Sequence, residues 1–382
     1  MIHLGDITKI KGDNIPPVDV ITFGSPCQDL STGGKRAGLS GERSGLFMEA
    51  VRIIKEMMEA TNGEYPQYAI WENVPGAFSS NKGEDFRAVL EELARIKEAG
   101  ISIPLPDKSK WAKAGLLTGD DWSIAWRTMD AQYWGVPQRR LRISLVINLT
   151  GGRAEEILFE PESLRGHFAP GITPGQAAAG AVENGAGTAD RAFTLKIRSG
   201  CDGGGKGALV QTEKSATLST LQDQTLFVAE PTFCIDGKTS PTITGDHNRR
   251  ITDYTSVIIE KIIRWIVRRL TPTECERLQG YPDGWTDLGG WVDSKGKTHK
   301  AADRPRYKAL GNSIALPQWY YVLGGIADRL PDNATLGSLF DGIGGFPYVW
   351  AQLHAGRKEL CVWASEIEEF PIAVTKKWFA GE

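Results

Sequence analysis

"TLGSLFDGIGGF", Thr335 to Phe346, decides the fold. A short apolar run with the length of a buried strand passes through Phe340 and Asp341 into Gly342-Ile343-Gly344-Gly345. Glycines at that spacing let the chain turn sharply and let a ligand approach the main chain closely. A second strand follows in "ELCVWASEIEEF", Glu359 to Phe370, and Glu366 falls at its end, 22 residues beyond Gly344. A carboxylate at that place can hold ribose hydroxyls.

Position 347 is proline, so the G-x-G-x-x-G fingerprint of dinucleotide binding is not completed. The pattern disfavours a nicotinamide cofactor. It fits a nucleoside cofactor without a pyrophosphate, of which S-adenosylmethionine is the obvious case.

Outward from this turn, the first 150 residues alternate strand-like and helix-like patterns. Met1–Leu4, Val18–Phe23, Tyr68–Trp71 and Arg142–Asn148 read as strands. Leu46, Ala50, Val51, Ile54, Met57 and Met58 recur at helical spacing, and Phe86–Ile96 carries a second stripe. Such alternation predicts an α/β fold with a mostly parallel sheet covered on both faces. The composition changes after Thr150. "AAAGAVENGAG" and "SGCDGGGKG" break the helical period, and Thr/Ser-rich pieces follow. Residues 151–268 read as an irregular, β-containing inserted domain, too long and too rich in apolar and aromatic residues for a linker. Regular patterning resumes over 269–382. Thr273 is the expected helix N-cap with Glu276 three residues on, Ile314–Leu330 reads as a helix, and so does the tail to Trp378.

Composition bounds the function. Hydrophobic residues make up 41% and charged residues 24% of the 382, as in ordinary globular proteins. No apolar run is long enough to span a membrane and no secretory start is present, so a soluble, cytoplasmic protein is expected. Five cysteines, at 27, 201, 234, 275 and 361, lack C-x-x-C spacing, which argues against a zinc site and a disulfide framework. The formal charge of −3 leaves any nucleic-acid partner to local basic patches.

Five further stretches carry chemistry. "FGSPCQDLS", 23–31, holds Cys27, whose default reading is a small buried hydrophobe. "WENVPG" puts Glu72 and Asn73 at a strand end. "GVPQRRLRISLV" spaces Gln138, Arg140 and Arg142 at alternate positions, on one face of a strand. "LTPTECERLQGYPDGW" and "RYKALGNSIALP" complete the set. Together with the glycine turn they resemble the DNA cytosine-5 methyltransferase family over nearly the whole chain outside 151–268. In that family the glycine turn and the ribose acid come first, whereas here they come last. "GDIT", with Asp6, looks like the motif that normally follows them. The order is that of a circular permutation, with "PDNA", 331–334, as the new connector.

The resemblance implies a Rossmann-like S-adenosylmethionine-dependent methyltransferase fold with a small target-recognition domain at 151–268, between catalytic segments 1–150 and 269–382. It implies methyl transfer to carbon 5 of a flipped-out cytosine in a specific double-stranded DNA sequence, with S-adenosylhomocysteine as product. Cys27 would add to carbon 6, a role suited to a thiolate that can later leave. Glu72 would contact ring nitrogen 3 and the amine, Arg140 would hold the base carbonyl, and Arg142 would fix the site. Phe340, Asp341, Gly342, Ile343, Gly344 and Gly345 would line the methionine end of the cofactor. Glu366, Ile367, Asp6 and Ile7 would meet ribose and adenine, and Pro26, Leu46, Asn312 and Ser313 would complete the pocket. The loop 28–45 has five glycines for hinging; Gln28, Ser31, Lys35, Arg36 and Arg43 would meet DNA there, with Gln138 beyond it. In the inserted domain, Arg198, Lys206, Arg249 and Arg250 would read base edges or phosphates. A monomer is expected, with a cognate restriction nuclease as a candidate partner. The rival readings are an RNA cytosine-5 methyltransferase and a catalytically idle DNA-binding regulator.

Overall fold

The computed structural model describes residues 1–25, 45–151, 153–159, 192–198, 207–212, 214–215, 218, 224–231, 257–258 and 263–379. Its strands are β1 (Ile2–His3), β2 (Val20–Phe23), β3 (Tyr68–Asn73), β4 (Ala114–Thr118), β5 (Ser123–Asp130), β6 (Leu141–Asn148), β7 (Ala192–Arg198), β8 (Gly207–Thr212), β9 (Gln224–Pro231), β10 (Val257–Ile258), β11 (Ile263–Arg269), β12 (Trp291–Val292), β13 (Thr298–His299), β14 (Leu336–Leu339) and β15 (Cys361–Ser365). Its α-helices are α1 (Gly45–Ala60), α2 (Glu84–Ala94), α3 (Glu155–Leu158), α4 (Pro272–Gln279), α5 (Asp303–Asn312), α6 (Pro317–Ala327), α7 (Gly345–Leu353) and α8 (Glu369–Phe379).

The central sheet has the order β1-β15-β14-β2-β3-β6-β5-β4. From β1 to β3 every neighbour is parallel, and from β3 to β4 every neighbour is antiparallel. Only β6 and β4 therefore run against the rest, and the sheet is mostly parallel, as expected. Parallel strands need cover on both faces, and the alternation of side chains supplies it. Val20, Tyr68, Ile70 and Leu336 point into one core with Trp319, Val322, Val349 and Trp350 of α6 and α7. Ile21, Phe23, Ala69, Trp71 and Leu339 point into the other with residues of α1 and α2.

Two expectations need correction. The alternation of strands and helices misses β4 and β5, which pair antiparallel at the sheet's far edge. An edge strand exposed at every other residue carries a weak apolar signal, and β4 is such a strand. The N-cap of α4 is Thr271, not Thr273. Thr271 and Glu274 form a capping box, because Pro272 suits the first helical position and sets the cap one residue before it.

Within 151–268 the described residues are more regular than the composition suggests. Strands β7, β8, β9, β10 and β11 form an antiparallel sheet of order β10-β11-β9-β7-β8. Ala154 and Ile157 and Leu158 of α3 are buried in the first core of the central sheet, and so is Leu226 of β9. At the chain ends the Met1 ammonium donates to the carbonyl of Phe379 at 3.3 Å.

Asp19 binds the starts of three adjacent strands. One carboxylate oxygen accepts the Thr335 N–H at 2.7 Å and its hydroxyl at 2.9 Å, and the other accepts the Gln67 amide at 3.2 Å. Its carbonyl accepts the N–H groups of Gln67 and Tyr68. Asp19→Ala leaves the Thr335 N–H without its charged acceptor, and should lower stability by about 2–4 kcal/mol in urea unfolding, with Asp19→Asn losing less.

Candidate functional site

The glycine turn leaves the carboxyl end of β14 beside the ends of β2 and β15. Phe340, Gly342 and Gly344 have φ of 56°, 59° and 78°, all left-handed. Among the described residues a side chain at Gly342 would meet nothing within 4 Å, and its φ favours glycine there. At Gly345 packing decides. A Cβ there would lie 2.5 Å from the Tyr281 hydroxyl and 2.7 Å from Ile314. The turn is tied to the next strand by Asp341 N–H to the Ser365 carbonyl at 3.0 Å and by Gly342 N–H to Glu366 at 2.9 Å. Glu366 also accepts the N–H groups of Ile367 and Glu368, at 2.7 and 2.9 Å. Burial raises the Glu366 carboxyl above its usual range against these three donors. Ile367 beside it is 69% exposed.

Asp341 is buried, and neither carboxyl oxygen has a hydrogen-bond partner among the described residues. Burial, with the Glu366 charge adding to it, pushes this carboxyl up to about 8. The Ser338 hydroxyl opposes the shift without forming an aligned bond.

A second group gathers where β2 and β3 end. Glu72 of β3 lies opposite Ser144 of β6, and Arg142 of β6 places its Nε 3.0 Å from Glu72 Oε1, both side chains 14% exposed. The geometry is that of an ion pair rather than an aligned hydrogen bond. Ser25, two residues before Cys27, is held by the Trp71 indole at 3.1 Å and by the Asn73 amide at 3.4 Å. A Cβ on Gly24 would touch Glu72 at 3.4 Å. The exit of β2 towards Cys27 is thus fixed beside the Glu72 carboxylate.

Arg140 is buried and donates to the carbonyl of Ser313. The Ser313 hydroxyl is 2.5 Å from the Tyr281 hydroxyl, and burial keeps that phenol well above its usual range. Arg140 and Gln138 do not share a strand face with Arg142, contrary to expectation. Strand β6 begins only at Leu141, because the Arg140 N–H is taken by the Asp130 carboxylate at 2.9 Å and Pro137 has no N–H to give. Gln138 is fully buried, and its side-chain amide has no partner among the described residues.

Other anticipated residues fall around the same end of the sheet. Ser365 Oγ donates to the Gly5 carbonyl at 2.7 Å and brings the Asp6 segment to the end of β15. Asp6 caps the turn Ile7–Lys9 by accepting from Thr8, which lowers its carboxyl below the usual value. The side chains of Ile7 and Ile343 are buried in the two cores, and the Ile343 carbonyl takes the Trp285 indole at 2.9 Å. Leu46 is half-buried at the start of α1, and Asn312 is exposed at the end of α5. Pro26, Cys27, Gln28, Ser31, Lys35, Arg36, Arg43, Lys206, Arg249 and Arg250 lie outside the described residues, as does the side chain of Arg198. Ser25, Tyr281 and Trp285 were not anticipated as site-building residues. Each lies inside a quoted motif, and that adjacency was the only signal.

Residues 1–100 match the family described as C-5 cytosine-specific DNA methylase. The DNA N-6-adenine-methyltransferase of Escherichia phage P1 is 29% identical over 418 residues, covering 86% of this chain and 55% of the phage protein. The type II methyltransferase M.BsuFI of Bacillus subtilis is 34% identical over 142 residues, 37% of this chain and 27% of that protein. The chain thus spans about half the length of the phage relative and about a quarter of the Bacillus one. The crystal structure of S. pombe Dnmt2 methyltransferase superposes with a TM-score of 0.44 at 14% identity, over 85% of this chain and 83% of that one.

Asp341 makes stability depend on pH. Its folded value near 8 lies above the ordinary 3.8, so the folded state binds this proton more tightly than the unfolded chain. The resulting stabilisation is complete below about pH 4 and is lost as pH rises through about 8. Glu366 acts in the same direction. The carboxyls lowered by partners, such as Glu156 and Asp283, matter only at acid pH. The urea midpoint should therefore fall between pH 5 and 8.5, and Asp341→Asn should flatten that fall. An unchanged slope in the variant would show that Asp341 is ionised in the folded protein.

Proposed function

We propose that this chain, which belongs to the DNA cytosine-5 methyltransferase family, methylates carbon 5 of a flipped-out cytosine in a specific double-stranded DNA sequence. The observation that carries the reading is the Glu72–Arg142 pair set against the exit of β2, two residues from Cys27, at the same sheet end as the glycine turn. Cytosine carbon 5 is a poor nucleophile. Addition of the Cys27 thiolate to carbon 6 makes it enamine-like, and the thiolate leaves again once carbon 5 has been methylated and has lost its proton. Glu72 holds a proton at ring nitrogen 3 as the ring gains electrons. Arg142 keeps that carboxylate in place, and Arg140 stands two residues before Arg142 in the chain. The target atom is inaccessible in a stacked duplex, so the base must leave the helix.

S-adenosylmethionine, when bound, supplies the methyl group. The room at Gly342 among the described residues, the exposed Ile367 beside Glu366 and the buried Asp341 carboxyl, unpartnered among those residues, fit a ligand with a ribose, an adenine and a cationic amino-acid end. The sheet β7–β11 serves as the target-recognition module, and a restriction nuclease remains the candidate partner.

The name of the phage relative favours a second reading, methylation of adenine nitrogen 6. That name covers a protein of which this chain matches 55%. An exocyclic amine attacks a methyl donor directly and has no use for a thiol, so Cys27 separates the two. Cys27→Ser should abolish methylation and keep cofactor affinity, while a duplex with 5-fluorocytosine should trap the wild type covalently. Glu72→Gln should lower the rate at least a hundredfold. Bisulfite sequencing of the plasmid reads methylated cytosine, mass spectrometry of its nucleosides reads methylated adenine, and methyl groups on adenine alone would overturn the proposal.

The permuted order is proposed with it, supported by the contact between Met1 and Phe379. A chain with Glu382 joined to Met1 and reopened within the exposed 331–333 should fold and bind S-adenosylhomocysteine as tightly as the original, by calorimetry.

A further inference from the structure

We infer that Ser215 is a positioning residue that couples the second sheet to the arginines of the proposed base site. It lies between β8 and β9, yet its backbone pairs with the loop before β6. The Ser215 N–H donates to the Pro137 carbonyl at 2.7 Å, and the Arg139 N–H donates to the Ser215 carbonyl at 2.9 Å. These two bonds bracket Gln138, with which Ser215 forms a parallel bridge. The Ser215 hydroxyl donates in turn to the Gln224 side-chain carbonyl at 2.7 Å, and both residues are buried. Gln224 is the first residue of β9, paired there with Lys196 of β7.

The link then runs on without a gap. Arg139 precedes Arg140, whose N–H is fixed by Asp130 and whose guanidinium meets the Ser313 carbonyl. Two residues on, Arg142 meets Glu72. A tilt of β9 is therefore passed to the loop that carries Arg140, through one side-chain hydrogen bond and two backbone bonds between buried residues. Leu226, two residues beyond Gln224, is buried in the central core and supplies a pivot close to the seam. Ser215 touches neither the base nor the cofactor. Its part is to make the rate of chemistry depend on how the second sheet sits on DNA.

The inference rests on the proposed function, and the test separates the two. Wild type is first assayed on plasmid by bisulfite sequencing to find its site. No methylated cytosine there would sink the proposed function itself. Given a site, single-turnover rates are measured on a duplex carrying it and on a duplex with one flanking base changed. Ser215→Ala should slow the correct duplex by roughly three- to tenfold, the worth of one buried hydrogen bond. It should slow the altered duplex less, so that discrimination narrows. The Kd for DNA and for S-adenosylhomocysteine should stay within about twofold. Gln224→Ala should reproduce the effect from the other partner, and Ser215→Thr should restore most of the rate. Equal slowing of both duplexes, or a loss that follows thermal stability and is not rescued by threonine, would reduce Ser215 to a packing residue and overturn the inference. If Ser215→Ala fails to fold, Gln224→Ala alone decides by the same ratio.

Discussion

The Tyr281 hydroxyl lies so close to Gly345 that a single methyl group between them would not fit, and much of the site depends on that closeness. Gly345 opens α7, directly after the glycine turn. Tyr281 follows α4 and shares a hydrogen bond with Ser313, whose carbonyl receives Arg140. One short chain of contacts thus joins the strand end of the proposed cofactor site to the loop of the proposed base site. A methyl transfer needs the two reacting atoms within a few tenths of an ångström of the productive distance, and rigid packing secures this better than a loop can. Trp285 reinforces the joint. Its indole donates to Ile343, while its ring stacks on Trp378 of α8 at 4.6 Å.

Much of this architecture was legible in the sequence, and the reasons differ by element. Strands β2, β3 and β14 are short, mostly apolar and buried along nearly all of their length, so their places in the chain could be read, though not every end. The glycine turn was legible because few other structures demand glycine at that spacing. Strand β4 was not, because half of its residues face solvent. The cap of α4 was misplaced by two residues because two Thr-x-x-Glu patterns overlap, and only the proline breaks the tie. Gln138, Arg140 and Arg142 look like one strand face, but Asp130 takes the N–H that the strand would need. Contacts between distant segments, such as Ser25 with Trp71 or Tyr281 with Gly345, leave no periodic trace and became visible only in three dimensions.

The two cores show how the stretch of more than a hundred residues between β6 and α4 leaves and rejoins the central sheet. Helix α3 packs on α6 and fills the first core at the point where the chain departs. Arg268, at the end of β11, returns the chain by a two-bond pair with Glu274, whose carboxylate also completes the capping box of α4. Both departure and return are thus anchored in the central domain.

The same reasoning bears on where such a chain can be cut. In the proposed permutation the break falls before β1, which has two residues and pairs on one side only, with β15. Ile2 is already 53% exposed, so little apolar cover is lost if the end frays. What must not fray is the following residue pair, because the Leu4 N–H bonds to Ala364 and the Gly5 carbonyl takes the Ser365 hydroxyl, beside Glu366. The Met1 ammonium on Phe379 closes the strand from its other end. A break one strand further on would instead free β2, which is buried on both faces and carries the chain to Cys27. The edge strand β1 is therefore the parallel strand whose release would expose the least buried apolar surface.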